Sequence, residues 1–168
     1  MYWEEISEEK WNSGKMYRSW NVTDITQKKT EHPIIYFDMD GVLASYDFGK
    51  PYNFGMKRPL NSNINKIREV LNERIEVHIL SVCNNDSHIE EKNSWLDKYV
   101  DYASKDNRHI ISKESNPGKT SAQLKLEFLE SFSTKKKIVL IDDDNVVLKV
   151  VHKGLKDAVM IQDSELVD

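Results

Sequence analysis

Two strand-like runs in this chain, IIYF at 34–37 and KIVLI at 137–141, break off directly into aspartates, as DMDG at 38–41 and DDDN at 142–145. A buried strand does not end this way cheaply, because like charges held close repel and lose solvation. The carboxylates of Asp38, Asp40, Asp142 and Asp143 must leave the core at a sheet rim, where something neutralises them.

Between these runs, strand and helix patterns alternate. NSNINKIREVLNER (61–74) puts Ile64, Ile67, Val70 and Leu71 on one helical face. IEVHIL (75–80) reads as a strand, and Asp86 or Ser87 is placed to cap a helix running past Trp95 and Leu96 to about Tyr99. HIIS (109–112) is a third strand, and TSAQLKLEFLESF (120–132) is a helix with Ala122, Leu126 and Leu129 inward. After KIVLI comes the helix NVVLKVVHKG (145–154), with Gly154 expected as its C-cap, and then a last strand, AVMI at 158–161. Strands alternating with helices predict an α/β chain, a three-layer α/β/α Rossmann-like fold around a parallel sheet. Right-handed crossovers and a strand order of 3-2-1-4-5 make strands one and four neighbours, with the ligand crevice beyond their carboxyl ends. Acids distant in sequence then meet in one place.

Length and composition set the outer limits. A chain of 168 residues, 39% hydrophobic and 31% charged, fits one globular domain with one core. Its net charge of −4 argues against a protein that coats nucleic acid. Cys83 is the single cysteine, so no intramolecular disulfide forms. No apolar run reaches membrane-span length, and MYWEEISEEKW lacks the apolar core of a signal peptide, so a cytoplasmic location is expected. Residues 1–32, with Trp3, Trp11, Trp20 and a short helix near 3–11, are expected to pack as an arm on a domain spanning 33–168.

Four or five carboxylates aimed at one crevice need a cation. Mg²⁺ takes oxygen ligands, usually one or two carboxylates with substrate phosphate and water, which equips such a site for attack on phosphorus. In order, DMDGVLA, the strand-end Ser81 in HILSV, a lysine before a helix in NPGKTSAQ, and VLIDDD resemble the four motifs of the haloacid dehalogenase superfamily. The resemblance covers about residues 33–161, and its wording is most like the 5'(3')-deoxyribonucleotidase-like group. It implies Asp38 as nucleophile and Asp40 as general acid and then base. It implies Ser81 and a lysine on the phosphoryl oxygens, and Mg²⁺ on Asp38, the Asp40 carbonyl and Asp143, with Asp142 in support. Lys119, beside Gly118 at a helix start, is the preferred lysine over Lys113 and Lys105. A P-loop is excluded, since Lys113 stands where that motif needs glycine.

The flap at 44–60 is too short for a helical cap domain, so a capless or minimally capped site is expected. Tyr46, Phe48, Tyr52 and Phe54 alternate there with Lys50, Lys57 and Arg58, which suits a nucleotide and equally suits packing of the flap on its own body. Gly41, Tyr46, Arg58, Cys83 and Asn84 are the candidate substrate contacts. The readings are a Mg²⁺-dependent phosphomonoesterase acting on a small phosphorylated substrate such as a (deoxy)nucleotide, a phosphatase of polynucleotide ends or phosphoproteins, or a non-catalytic binding module. A second copy of the chain closing the open site is a further expectation.

Overall fold

The computed structural model describes residues 33–46, 53–71, 75–132 and 136–163, with the Val70 side chain excepted. The 1–32 arm, Phe48, Lys50, Tyr52 and the expected helical residues 72–74 lie outside the described residues. Five strands form one parallel sheet of order β3-β2-β1-β4-β5, as the alternation predicts. They are β1 (Ile34–Phe37), β2 (Glu76–Cys83), β3 (Arg108–Ser112), β4 (Ile138–Asp142) and β5 (Val159–Gln162).

Among the described residues four helices cover the sheet: α1 (Asn61–Val70), α2 (Ser87–Tyr99), α3 (Ser121–Ser131) and α4 (Asn145–Gly154). Alternate strand residues face opposite ways, and two apolar clusters follow. Ile35, Phe37, Ile79 and Ile141 pack with Ile64 and Ile67 of α1 and Trp95 and Leu96 of α2. On the other face, Ile34, Tyr36, Leu80 and Leu140 pack with Ala122 and Leu129 of α3 and Leu148 and Val151 of α4. Among the described residues no helix is long and apolar enough to cross a membrane.

Helix ends differ in mechanism. Thr120 caps α3 in a capping box, accepting from the Gln123 N–H at 3.2 Å while its own N–H donates to the Gln123 side chain at 2.9 Å. Asp86 precedes α2, yet its carboxylate accepts from the Ser115 hydroxyl at 2.8 Å instead of capping the helix. Gly154 is the last residue of α4 rather than the residue after it, and its φ is not positive. The position is closely packed: a Cβ there would lie 2.5 Å from Leu126 Cδ1 of α3, so that leucine's tip would have to shift.

Between β1 and α1 the described chain forms a tight loop after Asp38, a short bridge of Ala44 to Pro59, and one 3₁₀ turn, Phe54–Met56. Residues 47–52 of the expected flap lie outside the described residues.

Candidate active site

Parallel register brings the two aspartate motifs together. Phe37 pairs with Ile141, and the Asp38 N–H donates to the Ile141 carbonyl at 2.9 Å, so Asp38 and Asp142 leave adjacent strand ends side by side. Oxygens of Asp38, Asp142 and Asp143 lie within 4.8 Å of one another. Asp38 is 7% exposed and Asp142 fully buried. Three carboxylates this close demand positive charge.

Part of it comes from α3. The Lys125 ammonium lies 2.6 Å from Asp142 Oδ2 and 3.0 Å from Asp38 Oδ1. Burial alone would lower the Lys125 pKa, but the two carboxylates outweigh it and hold the ammonium above the usual lysine range. Asp142 Oδ1 accepts the Asp144 N–H at 3.0 Å, while Asp144 caps α4 through the Val146 N–H. Asp143 has no lysine or arginine ion pair among the described residues. Burial, and then Asp38 and Asp142, push its carboxyl up to about 8. The donors facing this spot are all hard carboxylate oxygens, and among the described residues Asp143 has no ion pair, so the site fits a hard divalent ion such as Mg²⁺.

Gly41 makes room for that arrangement. Its φ of +77° is left-handed, and a Cβ would lie 2.5 Å from both Cγ and Oδ2 of Asp143. Glycine is required here on both counts.

Asp40 stands apart from the three-carboxylate group. Its Oδ1 accepts from the Lys57 ammonium and its Oδ2 from the Lys92 ammonium at 2.6 Å. Burial would raise the Asp40 pKa, but Lys92 and Lys57 together bring it below the ordinary carboxylate value. Lys92, on α2, is 1% exposed and also donates to Ser81 Oγ at 2.8 Å and to the Val82 carbonyl at 3.1 Å. Lys57 belongs to the flap, and its carbonyl accepts from Trp95 Nε1 at 2.9 Å. The Phe54 ring lies beneath both ammoniums, 5.1 Å from Lys57 and 4.9 Å from Lys92, with Trp95 edge-on at 5.8 Å.

The aspartates and the lysines Lys57, Lys92 and Lys125 line a cleft of about 280 Å³. Of the residues expected from sequence, Asp38, Asp40, Asp142, Asp143, Tyr46, Cys83, Asn84 and Lys113 line it. Ser81 lies behind the wall, fully buried, and reaches the cleft through Lys92. Tyr46 is 47% exposed at the rim, where burial and then Asp143 and Asp40 raise its hydroxyl pKa. Burial also raises the Cys83 thiol, whose Sγ donates to the Asn85 carbonyl at 3.3 Å, so it is no ready thiolate.

Three expected residues stand elsewhere. Lys119 is exposed and pairs with Glu127 at 2.6 Å, so the lysine beside Asp38 is Lys125. Lys105 pairs with Asp97 at 3.8 Å and does not line the cleft. Arg58 is exposed, and its backbone exchanges hydrogen bonds with Ser45. Sequence reading passed over Lys125 and Lys92, and met Lys57 only as one of the basic residues of the flap. Both missed lysines carried a signal: Lys125 falls on the apolar stripe of α3 between Ala122 and Leu129, and Lys92 stands three residues before Trp95 on α2. A lysine on a buried helical face needs a buried anion.

No protein-family model matches the chain, and no curated protein matches it. Solved structures do. A chain of the Pnkp1/Rnl/Hen1 RNA repair complex superposes with a TM-score of 0.60 at 21% identity, over 88% of this chain and 50% of its own. A chain from another structure of a Pnkp1/Rnl/Hen1 complex gives 0.62 at 20% identity, over 86% and 51%. The protein thus spans about half the length of the chains it resembles, and the likeness is one of fold.

Proposed function

We propose that this protein is a phosphomonoesterase of the haloacid dehalogenase type, dependent on a divalent cation and working through an aspartyl-phosphate on Asp38. The observation that carries the reading is the placing of Asp38 between Lys125 at 3.0 Å and the carboxylates of Asp142 and Asp143. Asp38, Asp143 and the Asp40 carbonyl would hold Mg²⁺, with Asp142 fixed behind them by Lys125. Bound there, the ion would offset the charge of the phosphoryl group and the surrounding carboxylates.

Asp38 then attacks phosphorus while Lys125 keeps its other face oriented. Lys92, already joined to Ser81, supplies ammonium and hydroxyl to the phosphoryl oxygens. Drawing Lys92 toward phosphate leaves Asp40 with one cation fewer as it faces the leaving oxygen. Protonated from solvent once Lys92 has turned to phosphate, Asp40 gives that oxygen a proton as the ester bond breaks, and takes one from water as the Asp38–phosphorus bond is hydrolysed. The substrate is a small phosphorylated molecule such as a nucleotide.

A second reading, a phosphatase of polynucleotide ends, is favoured by one observation: the matching solved chains come from Pnkp1/Rnl/Hen1 complexes, one named as an RNA repair complex. A cleft whose only cover among the described residues is a short flap would admit a strand end. Turnover of p-nitrophenyl phosphate with Mg²⁺, lost in Asp38→Asn, tests the reaction. An inert chain that also binds no divalent ion would instead be a binding module. Nucleoside monophosphates set against 3'-phosphorylated oligonucleotides separate the two substrates.

A further inference from the structure

Lys57 has no part in the motifs that carry the proposed reaction, yet it is one of the most tightly placed cations in the cleft. Its side chain is 11% exposed. Its ammonium grips Asp40 Oδ1 and donates to the Ser45 carbonyl at 3.2 Å. It lies over the Phe54 ring at 5.1 Å, and its own carbonyl is tied to the Trp95 indole on α2. The Phe54 N–H donates to Glu91 Oε2 on the same helix at 3.2 Å, which fixes the turn that delivers Lys57.

Asp40 is therefore held by two ammoniums with different duties. Lys92 is shared with Ser81, and a phosphoryl group would compete for it; Lys57 touches neither Ser81 nor Asp38. We infer that Lys57 is the positioning residue of Asp40, keeping one carboxylate oxygen anchored to the flap so that the other is aimed at the leaving group and then at the attacking water. This deepens the phosphatase reading and rests on it. In the first step the ester P–O bond breaks, its electron pair stays on the leaving oxygen with a proton from Asp40, and the Asp38–phosphorus bond forms. In the second, water attacks phosphorus, the Asp38–phosphorus bond breaks, and the water proton returns to Asp40.

The two steps make the role separable from simple folding support. p-Nitrophenolate leaves without a proton, whereas an alkoxide needs one. Lys57→Met should reduce kcat on an alkyl phosphate by about 10-fold or more, within the usual span of acid–base catalysis. On p-nitrophenyl phosphate the first step should survive and the second slow, giving a burst of p-nitrophenol and an acid-stable mass increase of one phosphoryl group on Asp38. Lys57→Arg should restore the alkyl ester, and Lys57→Gln, of similar reach, is assayed alongside should the methionine variant fail to fold. An active wild type whose folded variants lose both esters equally, with no burst and no phosphoenzyme, overturns the role of Lys57 alone. A wild type that turns over neither ester overturns the phosphatase reading, and this inference with it.

Discussion

The Lys125 ammonium lies 2.6 Å from Asp142 and 3.0 Å from Asp38, so one buried cation from α3 joins the ends of the two central strands. It makes the site's chemistry and the stability of the fold depend on one side chain.

Lys125→Met should for that reason destabilise the chain by about 3–5 kcal/mol, since removing one partner strands a buried charge. Urea unfolding would measure it. Adding Asp142→Asn to that variant should recover part of the loss, whereas additive losses would show that the two groups are not coupled.

Gly41→Ala carries two separate penalties. The left-handed φ of +77° costs a residue with a Cβ about 1–2 kcal/mol. The new Cβ, 2.5 Å from Asp143 Cγ, pushes that carboxylate away. Thermal shifts on adding Mg²⁺ should be smaller than in the wild type even where the variant is folded.

Divalent ions should raise the melting temperature, with Mg²⁺ and Mn²⁺ both effective at an all-oxygen site and EDTA reversing the effect. Asp143→Asn should weaken the ion by about 10-fold or more. An equal response in wild type and variant would place the ion elsewhere.

Acid sensitivity is built in away from the cleft. His78 links His109 at 2.8 Å to Glu76 at 2.7 Å, with Lys136 on the other Glu76 oxygen and Tyr36 packed alongside. Burial, and then His78, push His109 from 6.5 to about 4, so the folded chain keeps it neutral where the unfolded chain protonates it. The stability it contributes is complete above pH 6.5 and is lost as pH falls toward about 4. The hydrogen bond from Lys136 to Glu76, lowering the Glu76 pKa, acts in the same direction. Urea midpoints between pH 7 and 4 should fall, and His109→Gln, whose amide keeps hydrogen-bonding capacity toward His78, should flatten the decline.

Much of this molecule was legible beforehand because the period of burial is local. Strand runs of four or five apolar residues and helical stripes placed every described strand and α-helix within a few residues, though neither 3₁₀ turn, and the parallel sheet then fixed which strand ends meet. Cations were harder. Lys119 looked suited to phosphate because it opens a helix, but a side chain there points along the surface to Glu127. Lys125 reaches Asp38 because it starts from the buried face one turn deeper. Lys57 gave no periodic signal at all: it sits on a turn, and only the docking of Phe54 on Trp95 decides where it points.

The cleft walls hold five aspartates, Asp38, Asp40, Asp142, Asp143 and Asp144, against four lysines, Lys57, Lys92, Lys113 and Lys125. Near electroneutrality gives the site little long-range pull on an anion or a cation arriving alone. A divalent ion and a phosphate dianion arriving together, however, would leave that balance untouched. Each should tighten the other's binding by the same factor, as reciprocity requires. The protein would then act as a coincidence detector for the pair.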